Sequence, residues 1–545
     1  EVRNNGVIVA NLGTVAMAAG ESFELKFDGG GALSRVIVSA AAINTLVENK
    51  NAVRAPGGLI ILSAQAASRL QSGVVNNSGT IEAAGLVRRA GRLLLEASSA
   101  ILNSGTLSAN ATGGVNAGPA GSVTLNAPDV QNSGTISAAN FFPDSGNVAA
   151  EIGRIQINAD TFTQTDTGLL DVSAVALQAG NIDIVAAQAI ALSGRIFANG
   201  VVTDPTHIVA NALGGNIHLQ ATRRVDLTTA VLDASGEGGG GRIHIQADGV
   251  PTPQNDPANN SSQTPVKGAV LLSTNTVLRA NSSRAQAGRV EVEGDDISLD
   301  TGTRIEATGA TAGGTVLVGG DWQGSGTLRQ ATTVTMSADS VIDASATDSG
   351  DGGEVVLWSD VRSAASVTRA QGRITAKAGS ISGDGGRIET SGHLLEVDGV
   401  VVDASAANGQ GGEWLLDPYN ITISTNGDSN VSNSSNTYTS NNTSSNINVS
   451  TITGALNSGT SVTVQTGAGG SDIGDLQVNT AITKTSGTLA TLTLKAHNNV
   501  VVSAAISSTS NKLNINLIAD SDKNGAGVVI INSDLNSNLG NITFG

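Results

Sequence analysis

Glu291, Glu293, Asp295 and Asp296 form the acidic cluster that comes nearest to a site for acid–base or metal chemistry. Cleaving a glycosidic bond needs two carboxyls, usually with basic partners, facing one cleft. On an extended strand Glu291, Glu293 and Asp295 fall on one face, and Val290 and Val292 on the other. Like charges on one face read most simply as a solvated outer surface. Oxygen ligands suit calcium, and the turn Asp348-Ser349-Gly350-Asp351-Gly352 offers Asp348 and Asp351 as weak calcium candidates. Neither stretch follows a glycine–aspartate nonapeptide calcium repeat. The histidines are His207, His218, His244, His393 and His497. His218 and His244 occupy matching places in two similar phrases, so they are expected to stack as neutral outward rings. Zinc would want further ligands, and the chain has no cysteine. No Ser-His-Asp pattern, nucleophile elbow or phosphate-cradling loop stands out. The expectation is a non-enzyme with no cofactor and no metal.

Binding chemistry is better represented. The tryptophans are Trp322, Trp358 and Trp414. An exposed indole can stack on a sugar ring. Trp358 and Trp414 stand at alternating positions in strand-like runs and are expected to pack in a core. Trp322 lies in Gly319-Gly320-Asp321-Trp322-Gln323-Gly324, a turn-like phrase, so Trp322 with Asp321 is the candidate for an exposed ligand contact. Asp256 and Asn259 are further candidates, because they lie in a proline-rich insertion and loops on rigid scaffolds often carry binding.

The elements that must position these residues repeat. GGNIHLQ at Gly214 returns as GGRIHIQ at Gly240. The last glycine before each polar/apolar run falls at Gly180, Gly215, Gly241, Gly288, Gly314, Gly353, Gly386 and Gly412. The successive intervals are 35, 26, 47, 26, 39, 33 and 26 residues, a period near 26 plus insertions. Upstream, NSGTIEA, NSGTLSA and NSGTISA begin at Asn77, Asn103 and Asn132. Periods of this size mark solenoids or related arrays. One period, GNIHLQA-TRRVDLTT-AVLDASGEGG, holds three short alternating runs divided by turn formers and no helical spacing. That describes an all-β chain folded as a right-handed parallel β-helix with projecting loops. Val, Ile, Leu and Ala face inward, and outward Asn, Ser and Thr form hydrogen-bonded ladders. Gly, Asn, Asp and Ser take the corners.

Composition narrows the function classes. Aromatic residues make up 2% of the 545 residues, so the interior must be thin and aliphatic. The net charge of −17, without a basic patch, argues against a nucleic-acid partner. No stretch of 18 or more apolar residues occurs, so insertion into a membrane as a helix is not expected. Absence of cysteine fits an exported protein weakly. The chain opens at Glu1-Val2-Arg3, already in repeat-like sequence, and reads as processed or as a piece of something longer.

The phrase GGRIETSGH (Gly385 to His393), followed by LLEVDGVVVDASAANGQGGEWLLDPYNITI (Leu394 to Ile423), resembles a recurrent marker of a known family. The family is the filamentous-haemagglutinin-like adhesins of bacterial two-partner secretion. GGEVVLWSD (Gly352 to Asp360) and NNGVIVANLGTVAMAAGESFELKFDG (Asn4 to Gly29) are similar in style. The resemblance spans nearly the whole chain, through composition alone after about residue 425. It implies a right-handed β-helix, secretion to the cell surface through an outer-membrane transporter, and attachment to a polysaccharide or a host or neighbouring-cell surface. High-molecular-weight and biofilm-matrix adhesins are among its members. The family's secretion domain carries Asn-Pro motifs, and this sequence has no Asn-Pro, so that domain is expected outside these residues.

The organisation expected is β-rich opening coils over 1–60 and repeat coils over 61–414, with insertions at about 199–213 and 250–268. An Asn/Ser/Thr-rich segment follows over 415–450, in which the run from Ser424 to Ser450 reads as a disordered or loop stretch or, alternatively, as a polar-laddered coil, and further coils follow over 451–545. The leading expectation is a structural and adhesive rod. Alternatives are a polysaccharide-active β-helix enzyme and the stalk of a contact-dependent inhibition toxin.

Overall fold

The computed structural model describes all residues except 28–32, 68–71, 87–88, 114–117, 142–151, 203–211, 251–265, 418–419, 428–430, 435–436, 441–444 and 467–473. Most of both loop insertions lies outside the described residues, and with them Asp256, Asn259 and His207. The chain divides into two units, Glu1–Val250 with Thr276–Asn281, and Pro251–Asn275 with Ser282–Gly545. Each is a parallel β-helix.

In the first unit a coil consists of three short strands, such as Ala100–Asn103, Thr106–Ser108 and Ser122–Asn126. Each strand pairs in parallel with its equivalent one coil later: Ala100 with Asp129, Thr106 with Thr135 and Ser122 with Arg154. Alternation sets the inner side. Ile81, Leu107, Ile136, Leu170, Ile196 and Leu232 pair in register, coil upon coil, and all are sealed from solvent. Each such side chain contributes roughly 1.5–3 kcal/mol by burial. In the second unit Ile305, Ile342, Ile374 and Val402 form the corresponding column.

Two turn devices hold the corners. Asp171, Asp233, Asp343 and Asp403 each accept, through Oδ1, the backbone N–H two residues on at 2.9–3.0 Å, in the recurring D-x-S phrase. This Asx arrangement offers the turning backbone an acceptor that a neighbouring strand cannot supply. The second device runs through the first unit. Asn4, Asn49, Asn77, Asn103 and Asn132 each donate from Nδ2 to the side-chain oxygen of the next residue, ending on Gln164, at 2.8–3.1 Å. The asparagines that open NSGTIEA, NSGTLSA and NSGTISA are therefore rungs. This ladder is buried, which corrects the expectation that asparagine ladders lie outside. A row of identical amides can sit in an apolar interior because each supplies the donor its neighbour needs. Outer pairs exist as well, Asn158 to Asn126 and Asn216 to Asn181, both at 2.7 Å.

Among the elements that depart from coil geometry are a hairpin and a helix. Phe23–Phe27 and Leu33–Val38 form an antiparallel hairpin rather than coils. Its Val36 packs on Leu59 and Ile61, the outward residues of a coil strand. The second departure is an α-helix, Val449–Ser458, which the strand reading does not anticipate. Asn448 caps its start by accepting the Ser450 N–H at 2.9 Å, and Gly459 ends it at φ 89°. Ile452, Ala455 and Leu456 give it one buried face. Beyond it the coils resume, with Ser461–Gln465, Ala490–Lys495, Leu513–Ile518 and Ile542–Phe544 paired in succession.

Removing one rung tests the ladder. Asn103→Ala strands the Asn77 amide and the Asn132 carbonyl oxygen, and is expected to cost about 2–4 kcal/mol in urea unfolding. Asn76→Ala, on the outer side of the preceding coil's strand Gly73–Asn77, should stay within about 0.5 kcal/mol of the parent.

Candidate functional site

The site lies in the second unit, on five consecutive parallel strands: Thr315–Val318, Glu354–Trp358, Arg387–Ser391, Glu413–Asp417 and Ser461–Gln465. Their first residues, Thr315, Glu354, Arg387, Glu413 and Ser461, stand in register. The next residues, Val316, Val355, Ile388, Trp414 and Val462, fill the inner column. Trp414 also donates its indole N–H to the Thr390 hydroxyl at 3.1 Å, which satisfies its one polar atom.

Ahead of these strands run the glycine pairs that mark the sequence period. A Cβ on Gly353 would sit 2.0 Å from the carbonyl oxygen of Gly314, on Gly386 2.0 Å from that of Gly353, and on Gly412 2.0 Å from that of Gly386. No side chain fits, so the backbone is left bare. The result is a groove of about 770 Å³ floored by these glycines. Glu354, Arg387, Glu413 and Thr463 wall one side, and Asp351 and Asp384 line it too. Arg387 pairs with Glu354 at 2.6 Å, and the Thr463 hydroxyl donates to Glu413 at 2.7 Å. Asp351 accepts the Asp384 N–H at 2.8 Å, and Asp384 accepts the Gln410 N–H at 2.7 Å. These aspartates cap the turn of the following coil. Among the described residues no three Asp, Glu, His or Cys side chains are grouped as they would be to hold a metal.

Residues 319–331 form a strap over the outer side of the sheet. It begins with Gly319 and Gly320, turns once through a 3₁₀ segment Trp322–Gly324, and holds Gln323 at φ 53°. Asp321 accepts the Leu328 N–H at 2.9 Å and closes the strap on itself. Trp322 and Leu328 pack against Leu317, Val356, Trp358 and Val361. The Trp322 ring is half-buried, and the Arg387 guanidinium lies over it at 4.5 Å from the centroid. A cation over an indole face is favourable, and here it ties the strap to the wall of the groove.

The strap overturns the reading of the acidic cluster. Val290 and Val292 do face inward, but Glu291 and Glu293 are 2% and 6% exposed, not solvated. Arg289 pairs with Glu291 at 2.5 Å, Glu293 accepts the Arg329 N–H at 2.8 Å, and Arg329 pairs with Asp295. The acids fasten the strap. Glu389 does the same for Gln323, accepting its N–H at 2.7 Å. Burial pushes Glu389 up to about 8, an effect only partly offset by its hydrogen bonds from Gln323 and Ser391 and reinforced by the charges of Asp417 and Glu354. Burial likewise pushes Asp417 up to about 7, against the Gln465 amide and the Lys495 charge. The sequence signal for the strap is the 39-residue interval between Gly314 and Gly353, whose extra length is this segment. Trp358 is buried at 2% exposure, on the strap side of its strand, whereas Trp414 is internal.

In the first unit His218 and His244 pair in register and stack with centroids 5.2 Å apart and planes at 22°. Asp183 lies 2.8 Å from His218 Nδ1. The pair is a rung of an outer ladder.

Among solved structures the chain is similar to the HMW1 secretion domain from Haemophilus influenzae, with a TM-score of 0.37 and 18% identity over 73% of this chain and 98% of that one. No family model and no curated protein matches. No described helix is long and apolar enough to cross a membrane.

The buried acids set a pH dependence. Glu389 loses its proton near 4.5 when unfolded and near 8 when folded. Its contribution to stability is complete below pH 4.5 and is lost as pH rises towards 8. The unfolding midpoint is expected to be higher at pH 5 than at pH 8.5. Glu389→Gln should flatten that slope and raise the midpoint at pH 8.5.

Proposed function

We propose that this chain is a structural and adhesive element of a secreted bacterial two-partner-secretion exoprotein, and that the groove of its second unit holds a polysaccharide chain. The groove is the single observation that carries the reading. A sugar polymer presents hydroxyls at regular intervals, and the wall presents carboxylate, guanidinium and hydroxyl groups one coil apart, about 4.8 Å by strand spacing. Bare glycine backbone at the floor lets a chain approach closely. Each contact is weak, and repetition along the polymer makes attachment strong. The phrases GGRIETSGH and GGEWLLDPYN, whose family resemblance implies an adhesin, supply Gly385, Gly386, Arg387, Gly411, Gly412 and Glu413 to this groove. Export through an outer-membrane transporter and location at the cell surface belong to the same proposal.

A binding role rather than catalysis is favoured by how the groove's acids are used. Glu354 is occupied by Arg387, and Glu413 by Thr463. Free, opposed carboxyls of the kind hydrolysis requires are not the arrangement here.

The purified chain is expected to retain immobilised bacterial exopolysaccharides without releasing reducing ends. Arg387→Ala and Glu413→Ala together should weaken retention at least about tenfold, since both variants empty one wall. Failure to retain any polysaccharide, or steady release of reducing ends, would overturn the reading.

A further inference from the structure

The strands Glu354–Trp358, Arg387–Ser391 and Glu413–Asp417 lie side by side, and their register brings Trp358, Ser391 and Asp417 into line. Beside this line, under the strap, lies a separate cavity of about 190 Å³. Trp358 and Val361 give it an apolar side, and Asp417, Gln465 and Gln330 a polar one, with exposed Arg362 at the rim. For scale, a cavity of about 150 Å³ accommodates a benzene ring, and one water occupies about 30 Å³. The space therefore suits a six-membered ring rather than one solvent molecule.

Two of its polar atoms are unspent. The indole N–H of Trp358 and Oδ1 of Asp417 are both buried and have no hydrogen-bond partner. The other Asp417 oxygen accepts the Gln465 amide at 3.1 Å, which fixes the carboxyl in place. Buried polar groups left unpaired are costly, on the order of 1–3 kcal/mol each, and Trp358 and Asp417, which carry this donor and this acceptor, line the same cavity. A group that accepts from an indole N–H and donates to a carboxyl oxygen is a hydroxyl. The indole adds an apolar surface for a ring. The burial that disfavours charge on Asp417 and Glu389 disfavours it equally on a ligand placed there, so the matching ligand is neutral.

We propose that this cavity binds a single neutral sugar residue or similar polyol, admitted when the Trp322–Gly324 turn of the strap lifts. The strap suits the part: Gly320 and Gly324 lie against the Trp358 ring, where a Cβ would approach within 2.6 Å. The turn is held by the Gln323 N–H to Glu389, the Trp322 stack on Arg387, the packing of Trp322 against the Trp358 cluster, and the Gln330 amide, which donates to the Gly324 carbonyl at 3.1 Å. This site is independent of the groove, although both take sugars.

The test uses the full chain with free glucose, galactose and mannose and their methyl glycosides, with glucuronate as the charged comparison. Binding is read by ligand-observed NMR and tryptophan fluorescence. At least one neutral sugar should bind saturably, and glucuronate at least tenfold more weakly. Trp358→Phe removes the N–H donor together with one ring of the indole, and Asp417→Asn removes the charge and one acceptor. Each should weaken binding about tenfold or more while leaving the far-UV circular dichroism unchanged. Glu413→Ala, which leaves the contacts of the strap in place, should leave monosaccharide affinity within twofold. The inference is overturned if no neutral monosaccharide binds the folded chain, if both cavity variants bind as the parent does, or if glucuronate binds equally well. Retention of polysaccharide without monosaccharide binding refutes the cavity alone. Monosaccharide binding without polysaccharide retention refutes the groove alone.

Discussion

Everything in this chain follows from how closely one coil must lie on the next. Parallel strands stack about 4.8 Å apart, and where the chain turns into its long strand the backbones touch. At Gly353, Gly386 and Gly412 the space for a Cβ is already taken by the preceding coil's carbonyl. Glycine there is a steric requirement, and its consequence is an uncovered strip of backbone with polar side chains beside it. The fold constraint and the candidate binding groove are one feature.

Close stacking also dictates how polar groups are handled. Equivalent residues of successive coils lie side by side, so a residue type that satisfies itself can be repeated at no electrostatic cost. Asparagine does this inside the first unit, from Asn4 to Asn132. Carboxylates cannot, because like charges repel, and in the second unit Glu291, Glu293 and Glu389 are instead spent on the strap's N–H groups or on arginine. That difference explains why acids arranged as if for solvent are buried, and why Glu389 and Asp417 hold protons at unusually high pH.

The repeat made the architecture readable. The glycine spacing, the alternation of Ile217, Leu219, Ile243 and Ile245, and the matching places of His218 and His244 all follow from contacts between residues one period apart, and such contacts leave a sequence rhythm. What lacks rhythm was not legible. The strap occurs once, so only the excess length between Gly314 and Gly353 betrays it, and its acids were misread as solvated because nothing local announces a cover. The helix Val449–Ser458 hides in polar composition, although Asn448, Gly459 and the Ile452–Ala455–Leu456 spacing encode it. Trp322 was recognised as lying in a turn; its stack against Arg387 joins residues 65 positions apart and leaves no local trace. The inward asparagines were misplaced because alternation was read through residue type, which a self-satisfying ladder defeats.

The most direct measurement compares two glycines of the second unit by chemical unfolding. Gly386 is enclosed by the backbone of Gly352 and Gly353, whereas Gly454, on the exposed side of the helix, has nothing within 4 Å of where a Cβ would be. Gly386→Ala should lose about 3 kcal/mol or more, and Gly454→Ala should be neutral or gain up to about 1 kcal/mol. Equal effects of the two substitutions would contradict the close stacking from which the groove and the fold have both been derived.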